Sequence, residues 1–326
     1  MNTNGFVDIL NALPTAKLIS TVSAGIGKLY EPTHIKRMAK AKAEEIKLIS
    51  GAMEECSIVP TQYNNGDLLM NTLDWDDFIR RTQGRIAFQE LQKQNNIECV
   101  VANAYNILES ENSCSDEPVE QGWVNSFFDF VSNVSDEDLQ NLWGKILAGE
   151  IMTPGSFSLR TLSAIRNISI NEAKLFQKVL PLICRMGEHL FITTNNDILN
   201  KYDIFYQDIL LLEECGFVKL SSDTGISVPN DKKCFFYTKE RVANIEREHS
   251  NTKSLQYKVH PLTVVGAELF FVLNQEVNND YFIDLIKDVV AKNKSIGLSA
   301  KIHIVTKLNE GINVEFLDDI LIEIKE

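Results

Sequence analysis

The sequence has no long hydrophobic run. Its most apolar late stretch, Val264 to Leu273, is short and carries Glu268, whereas a helix crossing a bilayer needs roughly 18–20 apolar residues. An integral membrane protein of the helical kind is therefore excluded. The start, Met1-Asn2-Thr3-Asn4-Gly5, lacks the basic and apolar regions of a secretory signal and reads as the mature start of a cytoplasmic chain. There is no C-x-x-C pair: the six cysteines stand at 56, 99, 114, 184, 215 and 234, and none has a histidine at metal-binding spacing. His34, His189, His249, His260 and His303 are equally dispersed. Structural thiols in a reduced cytosol, with no metal and no cofactor, are expected. Gly25-Ile26-Gly27-Lys28 lacks the preceding strand and the full spacing of a phosphate loop, and Ser156 and Ser158 have no G-x-S-x-G setting. Internal repeats and low-complexity segments are absent too. Nothing in the sequence identifies a catalytic residue.

What is present is acidity with one basic exception. The 326 residues carry a formal net charge of −13, which repels nucleic-acid phosphates and anionic lipid on average. Between Lys28 and Lys42, however, five positive charges face only Glu31. Lys28, Lys36, Arg37 and Lys40 are the candidate contacts for an anionic surface. They follow the stripe Leu18, Ile19, Val22, Ile26 and Leu29, spaced for one face of a helix. Such a stripe either packs in a core or lies in a membrane interface, where Lys17 also reaches lipid phosphates.

Apolar spacing and punctuation divide the chain into four parts: an amphipathic helical segment over 1–60, a central helical bundle over 61–185, a winged-helix-like region over 186–275, and a C-terminal helix with a β-hairpin over 276–326. The expected fold class is mainly α with a smaller α+β part. Asp74, Asp76 and Asp77 around Trp75 resemble a divalent-metal cluster, but carboxylates at a helix start give the same string. The stretch 109–121 is acidic and turn-rich. Ser135 is placed to cap a helix on which Leu139, Leu142, Trp143, Ile146 and Leu147 form a core-facing stripe, stopped by Thr153-Pro154-Gly155. A helix through Leu159, Leu162 and Ile165 follows, then one opened by the capping box Ser169-Ile170-Asn171-Glu172. Beyond residue 190, a helix from Ile204 to Cys215 ends at Gly216. Short strands are expected at Phe217–Leu220 and Cys234–Tyr237, then a helix over 280–291 and strands over 302–307 and 312–316.

Two segments carry a family resemblance: Leu142-Trp143-Gly144-Lys145-Ile146-Leu147-Ala148-Gly149-Glu150-Ile151, and Pro154-Gly155-Ser156-Phe157-Ser158-Leu159-Arg160-Thr161-Leu162. With the run Gly25 to Pro32 and Ile35 to Ala43, they resemble a bacterial family, domain of unknown function 2806, over most of the chain. More distantly, the Leu142-Trp143 helix, its proline break and the late Leu262-Thr263-Val264-Val265-Gly266 element resemble the Abi-alpha family, associated with abortive infection of phage-infected bacteria. The first resemblance implies no known chemistry. On physical grounds Trp143, Lys145, Glu150, Pro154, Ser158 and Arg160 form a structural signature. Trp143 fills the core, while Glu150 and Arg160 pair across the proline turn to fix two helices.

The expected function is non-enzymatic: a bacterial phage-defence or stress component, cytoplasmic or peripheral to the inner membrane. It would act through a protein partner, self-association or weak contact with an anionic membrane surface, and bind no specific nucleic acid. The rival is a winged-helix transcriptional regulator, and an unrecognised hydrolase stands third. The helix over 204–215 presents Asp208, Glu213 and Glu214 without lysine or arginine, which argues against the regulator.

Overall fold

The computed structural model describes residues 14–26, 75–220, 225–229, 234–247, 253–273, 276–308 and 314–325. The chain divides into two compact units, Met1–Leu162 and Ser163–Glu326.

In the first unit the described elements are helical: α1 (Pro14–Ile26), α2 (Trp75–Leu108), α3 (Gln121–Val131), α4 (Glu137–Met152) and the start of α5 (Leu159–Ile165). Leu18 and Val22 on α1 are fully buried. A Cβ on Gly25 would lie 2.6 Å from Val124 Cγ1, so α1 and α3 meet at a contact that only glycine permits. Two residues of the α1 stripe, Leu18 and Val22, are thus core, and Lys17 Nζ donates to the carbonyl of Ser115 at 2.7 Å. α2 and α4 pack along each other through Gly144, whose added Cβ would stand 2.6 Å from Asn103 Cβ. The turn between α3 and α4 is tied to α2 by Asn96, which donates to the carbonyl of Ser132 at 2.9 Å. The cap of α4 lies one residue beyond the expected Ser135: Asp136 Oδ1 accepts from the Leu139 amide at 3.1 Å. The helix α3 was not anticipated from the sequence.

The second unit is α+β, so with the helical first unit the chain is a mixed α+β fold. Its elements are α6 (Ile170–Val179), β1 (Cys184–Met186), β2 (His189–Thr193), α7 (Asn196–Lys201), α8 (Tyr206–Glu214), β3 (Gly225–Val228), β4 (Cys234–Tyr237), β5 (Arg241–Arg247), β6 (Leu255–Pro261), α9 (Val264–Leu273), α10 (Asn279–Lys292), β7 (Leu298–Leu308), β8 (Val314–Phe316) and β9 (Ile322–Ile324). The strands run in the order β3-β6-β2-β1-β4-β5-β7-β8, with β9 also on β7, and every pairing is antiparallel. The longest ladder joins β5 to β7, from Arg241 opposite Ile304 to Arg247 opposite Leu298.

The capping box of α6 forms as its sequence requires: Glu172 N donates to Ser169 Oγ at 3.3 Å, and Ser169 N donates to Glu172 Oε2 at 2.6 Å. The expected strand at Phe217–Leu220 is instead a single bridge, Val218 to Leu262. Cys234–Tyr237 is a strand, but its partners are β1 and β5. The tail strand expected from 302 begins earlier, at Leu298.

Candidate functional site

The signature segment forms a closed turn built around one carboxylate. Glu150 sits on the last turn of α4 and is 1% exposed. The chain then reverses through Thr153, Pro154 and Gly155, with Gly155 at φ +84°, a conformation that favours glycine. That reversal aims two main-chain N–H groups back at the helix. Gly155 N donates to Glu150 Oε1 at 2.7 Å and Phe157 N to Glu150 Oε2 at 3.0 Å. Phe157 is buried beneath. Ser158 then starts α5, its Oγ accepting from the Thr161 amide at 3.3 Å.

The expected Glu150–Arg160 pair is therefore corrected: the backbone holds the carboxylate, and Arg160 is exposed. The physical reason lies in the positive φ of Gly155, which presents the turn's amides to the helix end. Trp143 is 1% exposed and does fill the core, edge-on to Phe127 at 5.5 Å and to Phe130 at 6.4 Å. Lys145 and Pro154 are half-buried. Lys28, Lys36, Arg37 and Lys40 lie outside the described residues, as does Asp74.

In the second unit, buried hydroxyls and the half-buried Asp288 join α10 to the sheet. Tyr257 donates to Asp288 Oδ2 at 2.7 Å and meets Thr193 Oγ1 at 2.6 Å. Asn195 donates to Asp288 Oδ1 at 2.8 Å, and Lys292 pairs with Asp288 at 2.9 Å. Burial pushes the Tyr257 and Tyr281 hydroxyls well above their ordinary range, so both stay protonated. Two thiols behave alike: burial pushes Cys234 up to about 12, while burial and the nearby Glu172 push Cys215 up to about 11. A protonated thiol is a poor nucleophile. Among the described residues no three histidine, cysteine, aspartate or glutamate side chains gather to hold a metal ion, and no helix is long and apolar enough to cross a membrane.

The surface that stands out is the outer face of α8. Ile209 and Leu212 anchor the helix in the core, and Asp208 closes its first turn by accepting from the Phe205 amide at 2.8 Å. Outward point Phe205, Tyr206 and Leu210, exposed to 50%, 51% and 36%, together with Gln207 and Glu214. Large apolar side chains gathered on one exposed face mark contact surfaces. The charges of this helix were legible in the sequence, but its aromatic face was not, because which side faces out depends on the sheet beneath.

A family model described as Protein of unknown function (DUF2806) matches residues 80–286. The chain belongs to the DUF2806 family. The match takes in both the signature turn and α8, the two features that stand out physically. No curated protein and no solved structure matches this DUF2806 chain.

The late Leu262-Thr263-Val264-Val265-Gly266 element also has a structural role in this DUF2806 protein. Thr263 Oγ1 donates to the carbonyl of Gly216 and accepts from the Gly266 amide, locking the first turn of α9 to the end of α8. Beside it, on β6, the buried His260 has an Nδ1 with no hydrogen-bond partner. Burial lowers its pKa below the ordinary 6.5, against the opposing pull of Glu213. Its neutral form is the one compatible with the fold, while the unfolded chain takes up a proton near 6.5. Stability is thus expected to be full above that value and to fall as pH drops below it. Urea midpoints across this window check the prediction, and His260→Leu should flatten the slope.

Proposed function

We propose that the protein is a non-enzymatic bacterial component of stress or phage defence that works by binding another protein through the outer face of α8. The observation that carries this reading is the exposure of Phe205, Tyr206 and Leu210 on a helix with no lysine or arginine between Tyr206 and Glu214. Short helices dock on partners through such apolar faces. The defence setting draws on the distant Abi-alpha resemblance.

The regulator reading is favoured by one observation. In the chain order α6, β1, β2, α7, α8, β3, β4, β5, β6, the strands β2 and β3 both pair with β6, which supports a winged-helix-like arrangement, interrupted by β4 and β5, in which α8 takes the recognition position. Its acidic, aromatic face argues against DNA, since it repels phosphate and offers no arginine to guanine. Weak contact with an anionic membrane surface rests on the charge of Lys28, Lys36, Arg37 and Lys40 alone, because Leu18 and Val22 are occupied in the core. Vesicle flotation at low salt reads it, and equal absence of binding to anionic and neutral lipid removes it.

Phage plating on cells with and without the gene tests the main reading. Reduced plating with the gene present is the expected result. Sequence-selective, salt-dependent retention of DNA by the purified chain would favour the regulator instead.

A further inference from the structure

Arg185 occupies the middle of β1, opposite Leu190 on β2 and Tyr237 on β4. Facing residues in a sheet share a face, so the Arg185 side chain rises beside the Tyr237 ring. Its guanidinium carbon lies 5.3 Å from the centroid of that ring and 5.3 Å from the centroid of Phe271 on α9. Two aromatic rings thus hold one cation, an arrangement suited to guanidinium because its plane stacks and its charge is diffuse.

The rings meet the charge but leave the Nε donor without an acceptor. A guanidinium carries five N–H groups, and Arg185 Nε is buried with no hydrogen-bond acceptor. No carboxylate pairs with Arg185 among the described residues. This occurs in a protein with 45 acidic residues against 32 basic ones, where acidic partners are plentiful. Leaving buried donors unpaired is costly. Tyr237 is also committed elsewhere, its hydroxyl donating to the Gly187 carbonyl at 2.7 Å, so it serves Arg185 only through its ring. Phe271 is 61% exposed, so one wall of the stack lies at the surface, where an incoming group has access to it.

We propose that Arg185, held between Tyr237 and Phe271, is the receptor for an oxyanion, a carboxylate or phosphate group carried on an apolar body. The fork of guanidinium N–H groups matches two oxygens of such a group, and the exposed ring of Phe271 packs against the carrier. This site is independent of α8.

The test titrates the full-length protein with phenylacetate, phenyl phosphate and uncharged benzyl alcohol, following the melting temperature and the side-chain Nε–H resonance of Arg185. The expected result is a saturable shift with one or both anions and none with the alcohol; which anion is stronger identifies the group. Arg185→Met, which keeps an unbranched apolar stem, should abolish the response, and Arg185→Lys, which keeps charge without the fork, should weaken it by about tenfold or more. Should Arg185→Met fail to fold, the Nε–H resonance of the wild-type protein still decides. An unmoved resonance with both anions, or an equal response to benzyl alcohol, overturns the proposal.

Discussion

Replacing Glu150 by alanine is expected to destabilise the first unit by about 2–4 kcal/mol, because the Gly155 and Phe157 amides lose a charged acceptor and the Phe157 amide has no route to water. Each unmade bond to a buried donor costs about 1–3 kcal/mol, and the more exposed Gly155 recovers part of its share from solvent. Glu150→Gln keeps one carbonyl acceptor and should lie between wild type and alanine. Arg160→Ala should change stability by no more than about 0.5 kcal/mol, as exposed substitutions do. Urea denaturation read by tryptophan fluorescence checks all three. A large loss from Arg160→Ala with a small one from Glu150→Ala would restore the charge pair and refute the backbone-held turn.

Gly266→Ala should be the more damaging change in the second unit, at about 3 kcal/mol or more. A Cβ there would stand 2.1 Å from the Phe217 carbonyl oxygen and 3.0 Å from its carbon, and these are backbone atoms that no rotamer change can move. That same oxygen accepts from the Thr263 amide at 3.0 Å, so pushing it away also loosens the start of α9. Overpacking usually costs about 1–3 kcal/mol when side chains can yield, and here they cannot. Thermal unfolding should show the second unit melting first in the variant. An unchanged melt would mean that α9 does not approach Phe217 this closely.

Local chemistry was the legible part of this molecule. The capping box at Ser169 and Glu172, the stripe on α4, the stop at Thr153-Pro154-Gly155 and the helix end at Gly216 each need only a few neighbouring residues to be read. Of the sheet, Cys234–Tyr237 and the tail strands were legible, but not its centre, since β5 reads Arg-Val-Ala-Asn-Ile-Glu-Arg, too polar to announce a strand. Its ladder with β7 joins residues far apart in sequence. Helix α3 has Trp123, Val124, Phe127 and Phe128 at helical spacing, but the acidic, turn-rich stretch that runs up to Gln121 hides its start. For the signature turn, the sequence marks the residues but not the backbone amides of Gly155 and Phe157 as partners of Glu150. A charged side chain advertises itself in a sequence, whereas the direction of a backbone amide is set by the φ of Gly155.

The reading of α8 as the working surface is tested most directly by plating phage on cells carrying the wild-type gene or the double variant Tyr206→Glu, Leu210→Glu. Both side chains are exposed, so the variant should fold and melt as the wild type does. Protection against phage is expected with the wild-type protein and should be lost with the variant at equal protein level. Full protection by a folded variant would contradict the account.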